Sequence, residues 1–121
     1  MVLVVEDEAD WREALATVLE DARYDVLCAA NGAEALRVLE QHQGRCDVIL
    51  LDLMMPVMNG WDFRSRQLRD PLLADIPVLL MSAGAHLAAK HDDLHAAGYL
   101  TKPVSVDEVV EQLELIRPAI A

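Results

Sequence analysis

Positive charge is scarce in this chain: ten Lys and Arg stand against 21 Asp and Glu, a net charge of −11 over 121 residues. No block of lysines or arginines relieves that balance. This argues against a nucleic-acid surface, because phosphate binding runs on clustered positive charge. An acidic shell instead attracts cations and basic partners. Cysteine is almost as rare. Cys28 and Cys46 read as small apolar side chains of a reducing compartment, not as a disulfide framework. No apolar run approaches the ~20 residues of a membrane span. Acids begin at Glu6, too early for the apolar region of a signal peptide. Neither G-x-x-x-x-G-K nor G-x-G-x-x-G occurs, which excludes a nucleotide cradle of those types. These absences predict a soluble, cytoplasmic protein with no membrane partner, a single domain over residues 1–121.

What the chain has in plenty is apolar side chain: 54% of residues, ample for a packed core. Short apolar runs alternate with amphipathic stretches. Strands are predicted at Val2–Val5, Val26–Ala29, Val48–Leu51, Pro77–Met81 and Tyr99–Thr101. In the first helical stretch Leu15, Val18, Leu19 and Ala22 form one apolar stripe. Asn31 is the expected N-cap of the second, with Glu34 as its capping-box partner. The third follows Gly60 and ends before Pro71. A fourth is expected near Leu87–Ala97, stopped by Gly98. The fifth turns Val106, Val109, Val110, Leu113 and Ile116 inward. Strand and helix alternating with short links predict an α/β, doubly wound fold: a five-stranded parallel sheet covered on both faces by five helices.

The chemistry is expected where those strands end. Glu6 and Asp7 close the first apolar run, and Asp52 closes the third. Adjacent parallel strands deliver their carboxyl ends to one edge, where ligands bind. At an effective dielectric of about 20, like charges at about 4 Å cost roughly 4 kcal/mol per pair. Such a grouping makes sense around a hard divalent cation such as magnesium. Ser82 ends the fourth run and Lys102 follows the fifth, adding a hydroxyl and an ammonium to the same rim. Three carboxylates, a hydroxyl and an ammonium suit the placing of a phosphoryl group on a carboxylate. Taken singly, each has a bland role. Glu6-Asp7 can favour the positive end of the first helix, Asp52 can open a turn, Ser82 can be structural and Lys102 solvated. Their common position at strand ends is what discriminates.

Two further groupings are weaker. His86, His91 and His95 fall in the fourth helical stretch and read as a solvated face. Met54, Met55 and Met58 read as loop packing.

With these residues in place, the chain resembles the receiver domain of two-component response regulators, of the CheY-like kind. The resemblance rests on V-L-V-V-E-D-E at 2–8, L-D-L-M-M-P-V-M-N-G at 51–60, P-V-L-L-M-S-A at 77–83 and G-Y-L-T-K-P at 98–103. It implies a flavodoxin-like strand order of 2-1-3-4-5, and phosphoryl transfer in a phosphorelay from a sensor histidine kinase or phosphotransfer protein, with Mg2+ as cofactor. Asp52 resembles the phospho-acceptor. Asp7 and Asp52 resemble the direct metal ligands, with the backbone carbonyl of Met54, and Glu6 resembles the acid acting through a bound water. Lys102 resembles the family's phosphate-contacting lysine, ahead of a cis peptide to Pro103. Ser82 and Tyr99 resemble the switch pair. Trp11, Ala14 and Val104 resemble kinase-docking positions, although helical spacing also makes Trp11 a core candidate.

The resemblance implies a phosphoprotein that assists its own modification rather than a stand-alone enzyme. Its output face would be the fourth helix, fifth strand and fifth helix, met by a downstream protein. The alternative is a degenerate receiver acting only as a binding module. A haloacid-dehalogenase-like phosphatase is disfavoured, because Met54 stands where its second acid is needed. The departures are Glu6 for the commoner aspartate, a short Ser82–Lys102 interval, and Ala96-Ala97-Gly98 before Tyr99. Acids at Asp107, Glu108, Glu111 and Glu114 on the fifth helix, and at Asp92 and Asp93 on the fourth, whose only unconditional cation is Lys90, oppose a symmetric dimer across the output face, so a monomer or weak dimer is expected. No output domain is expected on the chain itself.

Overall fold

The computed structural model describes residues 1–82, 95–102 and 104–120, the last four of these by backbone alone. Five strands are present: β1 (Val2–Val5), β2 (Val26–Ala29), β3 (Val48–Asp52), β4 (Val78–Ser82) and β5 (Gly98–Thr101). Four described helices cover them: α1 (Ala9–Asp21), α2 (Gly32–Gln41), α3 (Gly60–Arg69) and α4 (Val106–Ile120). All pairings are parallel and the order is β2-β1-β3-β4-β5. The helix expected near Leu87–Ala97 falls mostly outside the described residues, as do His86, His91, Lys90, Asp92, Asp93 and the Lys102–Pro103 peptide.

The three inner strands are buried along their whole length, which is why their sequences are continuous apolar runs rather than alternating ones. Successive side chains still go to opposite faces. Leu3, Val5, Ile49, Leu51, Val78 and Leu80 pack with Leu39 of α2 and Phe63 of α3. Val2, Val4, Val48, Leu50, Leu79 and Met81 pack with Leu15 and Leu19 of α1 and Val109, Leu113 and Ile116 of α4. No helix among the described residues is long and apolar enough to cross a membrane.

Several boundaries differ from the sequence reading. Strand β4 begins one residue late because Pro77 has no N–H for the ladder, although its carbonyl accepts from Ile49. Strands β3 and β4 each run on to include their polar terminal residue, Asp52 and Ser82. Gly98 is not a helix stop. It opens β5 opposite Leu79, after Ala97 N–H has already bonded Val78 O. Ala22 leaves the α1 stripe, exposed at the C-cap. Asn31 caps α2 as expected, accepting from Glu34 N–H at 2.9 Å. Asn59 and Ser105 cap the helices that follow them: Asn59 accepts from Asp62 N–H, while Ser105 and Glu108 form a reciprocal capping box.

Candidate functional site

Register determines what meets at the carboxyl edge. Val5 lies opposite Leu51 and Asp52 opposite Met81, so Glu6, Asp7, Asp52 and Ser82 arrive on one rim. Ser82 pairs with Thr101, and Lys102 N–H donates to Ser82 O at 2.9 Å, holding Lys102 against that rim. Asp52 is placed by the loop behind it. Gly60 N–H bonds Leu53 O, and Gly32 N–H bonds Met58 O. A Cβ on Gly60 would lie 2.7 Å from both Asp52 O and Leu53 Cα, so only glycine lets α3 start this close to the end of β3.

One oxygen from each of Glu6, Asp7 and Asp52 can be chosen so that all lie within 4.8 Å of one another. Glu6 and Asp52 are buried and Asp7 is exposed. The Lys102 ammonium reaches Glu6 Oε1 at 3.0 Å and Asp52 Oδ2 at 3.3 Å. One ammonium therefore bridges two of the three acids. Burial first, and then the neighbouring Asp52 carboxylate, push the Glu6 pKa up to about 8 against the downward pull of Lys102. Burial works to lower the Lys102 pKa, but its bond to Glu6 and the two carboxylate charges outweigh that and hold it above its ordinary value. Glu6 Oε2 is buried without a hydrogen-bond partner among the described residues. An unpartnered buried carboxylate oxygen in an all-oxygen, net-negative cluster fits a small hard cation.

The remaining expected residues are distributed differently. The Met54 side chain is 63% exposed, so loop packing accounts for Met55 and Met58 but not for it; its N–H points at Asp52 Oδ1, 3.4 Å away. Tyr99 lies on β5 with its side chain 40% exposed. Ala14 is exposed, while Trp11 and Val104 are half-buried against the core on the α1–α4 side. Both cysteines are free, and burial pushes their thiols up, Cys46 to about 11, which leaves them inert at neutral pH. His95 is exposed at φ 52°, and its carbonyl accepts from Arg64.

Two supports were not read from the sequence. Arg12 Nη1 donates to Glu6 O at 2.7 Å, fixing the turn that aims Glu6 and Asp7. Arg64 and Gln67 are buried: Arg64 bonds Gln67, and Gln67 bonds the carbonyls of Leu73 and Ile76, tying the loop before β4 to α3. Spacing carried no sign of the latter, because polar residues in an amphipathic helix are expected outside.

A family model for the response regulator receiver domain matches residues 2–114. The chain is 38% identical over 117 residues to the phosphate regulon transcriptional regulatory protein PhoB of Pseudomonas aeruginosa, covering 95% of this chain and 50% of that protein. It is 33% identical to the transcriptional regulatory protein PdtaR of Mycobacterium tuberculosis, covering 94% of this chain and 55% of that protein. The chain thus spans about half the length of these curated relatives. Among solved structures it is similar to the chemotaxis response regulator CheY4 of Vibrio cholerae, with TM-score 0.84 and 30% identity over 95% of this chain and 96% of that one. The receiver domain of the Francisella response regulator 1452 superposes with TM-score 0.87 at 28% identity, covering 99% and 98%. Strand order, the acid cluster at the carboxyl edge and these likenesses agree: the chain belongs to the family of response regulator receiver domains.

Proposed function

We propose that Asp52 accepts a phosphoryl group from the phosphohistidine of a sensor histidine kinase or phosphotransfer protein in the cytoplasm. The observation that carries this reading is the Lys102 ammonium shared between Glu6 and Asp52, at 3.0 and 3.3 Å, with Asp7 completing the acid cluster. In the transfer, a carboxylate oxygen of Asp52 bonds to phosphorus while the P–N bond breaks, its electron pair returning to the imidazole. Asp7, Asp52 and the Met54 carbonyl would hold Mg2+, with Glu6 reaching it through water. The cation supplies charge neutralisation for the acceptor and the incoming oxygens. Lys102 holds a phosphoryl oxygen and offsets the charge that develops there. Ser82, buried at the end of β4, meets a phosphoryl oxygen as a strong acceptor once Asp52 is phosphorylated. It then biases the loop after it, and Tyr99 with it, so that the face of β5 and α4 changes for a downstream protein. The chain acts as a substrate and switch that assists its own phosphorylation and dephosphorylation, not as a stand-alone enzyme. Kinase docking falls to Trp11, Ala14 and Val104.

Acetyl phosphate with magnesium tests the acceptor without a kinase. Intact mass is expected to show one phosphoryl adduct, lost in Asp52→Asn and suppressed by a chelator. An adduct of equal yield in either case refutes the assignment.

A further inference from the structure

The acidic exterior is interrupted at α3. Arg66 and Arg69 stand one turn apart on that helix, both exposed. Arg69 bonds Ser65, and Arg66 has no hydrogen-bond or ion-pair partner among the described residues. Asp62 and Asp70 flank them without pairing to either at ion-pair distance. Beside the arginines lies an open groove of about 290 Å³, lined by Val57, Met58, Asp62, Ser65, Arg66 and Arg69. Val57 is 86% exposed and sits at φ 67°, a left-handed conformation that a β-branched residue adopts only under strain. Glycine or asparagine would relieve that strain. An apolar branched side chain held there, exposed beside two arginines, suits a surface that another surface covers.

The complementary surface is on the same chain. Asp107, Glu111 and Leu115 recur every four residues along α4, all exposed, Leu115 at 69%. Neither Asp107 nor Glu111 bonds a described side chain, whereas Glu108 is used in the cap and Glu114 accepts from Tyr24. Acids leading to an apolar anchor match arginines in a mostly polar groove whose apolar lining is Val57 and Met58. Helices α3 and α4 cover opposite faces of the sheet, so one molecule cannot close this contact on itself.

We propose that the α3 groove of one molecule receives the Asp107–Glu111–Leu115 stripe of a second copy, in a head-to-tail contact. Leu115 enters the groove against Val57 and Met58, and the acids meet Arg66 and Arg69. A heterologous contact of this kind leaves a free groove at one end and a free stripe at the other, so it propagates instead of stopping at a dimer. The net charge of −11 opposes close approach of any two copies. Near about 0.15 M salt the Debye length is about 8 Å, which screens that long-range repulsion more than contacts at ion-pair distance. Near about 1 M the pairs themselves weaken.

Sedimentation velocity over a wide concentration range tests the contact. The wild-type sedimentation coefficient is expected to rise with concentration past the dimer value at moderate salt, and to rise less at high salt. Arg66→Glu with Arg69→Glu should weaken association by about tenfold or more, as two pairs are lost and repulsions added. Asp107→Lys with Glu111→Lys should do the same. Circular dichroism establishes that both variants remain folded. Mixed in equal amounts they present opposite charges to each other again, and association is expected to return. A wild-type chain that stays monomeric, a mixture that does not associate, or a dimer plateau that survives the arginine reversal would each overturn the proposal.

Discussion

Glu6 and Asp7 are neighbours in sequence with opposite surroundings. Glu6 lies under the rim with Asp52 and Lys102, while Asp7 faces water. The raised pKa of Glu6 has a consequence for stability. In the unfolded chain the group releases its proton near 4.5, and in the folded, metal-free protein near 8. Between those values the folded state binds more protons, so stability falls as pH rises through that window and levels off above it. Metal-free protein followed by thermal melts is therefore expected to lose melting temperature from pH 4.5 to about 8. Glu6→Gln should flatten the slope, and magnesium should recover most at the alkaline end, where no proton competes for Glu6. An unchanged slope in Glu6→Gln would show that some other group controls it. That acids would stand at this edge was legible from their places after Val5 and Leu51. Their unequal burial was not, because it depends on Lys102, 96 residues away, reaching back to Glu6.

At the scale of elements, the loop between β3 and α3 is the most constrained connection beside the site. Gly60→Ala sets two effects against each other. Alanine improves helix propensity by about 1 kcal/mol, but its Cβ meets backbone atoms of Asp52 and Leu53 at 2.7 Å. Backbone yields less readily than side chain, and overpacking of this kind costs about 1–3 kcal/mol. The clash is expected to win, with a lower denaturation midpoint and slower phosphorylation by acetyl phosphate as Asp52 shifts. A variant as stable and as reactive as wild type would show that the loop relaxes freely. Asn31 was legible as a cap from its acceptor side chain and Glu34 three residues on, whereas the structure adds Asn59 and Ser105, each starting a helix with a side-chain acceptor. The buried Arg64–Gln67 pair was not readable at all. It exists because the turn at Leu73–Ile76 leaves two carbonyls inside that need donors.

Across the whole molecule, Trp11 stands between two roles. Its side chain is half-buried against the core on the α1–α4 side, the same cluster that Val104 packs against, and the rest of it remains open to solvent. Trp11→Ala is expected to cost about 1–2 kcal/mol, less than a fully buried aromatic would. Docking and packing separate by donor. If Trp11 docks the kinase, the variant takes phosphate normally from acetyl phosphate but slowly from a phosphorylated kinase, below its melting temperature. Equal rates from both donors would leave packing as its whole role.

The sequence by itself determined the alternation of buried strands and amphipathic helices, because apolar periodicity and chain-terminating turns are local properties. It determined, too, which residues would stand at the carboxyl ends, since strand ends follow directly from where the apolar runs stop. Only the tertiary structure decided that Glu6 is sealed while Asp7 is open, that Lys102 spans Glu6 and Asp52, and that Tyr99 is partly exposed on β5. It also decided that α3 presents arginines on one side of the sheet and α4 acids on the other. These depend on which elements become neighbours across long stretches of chain, and burial and charge pairing take their values only once those neighbours are in place.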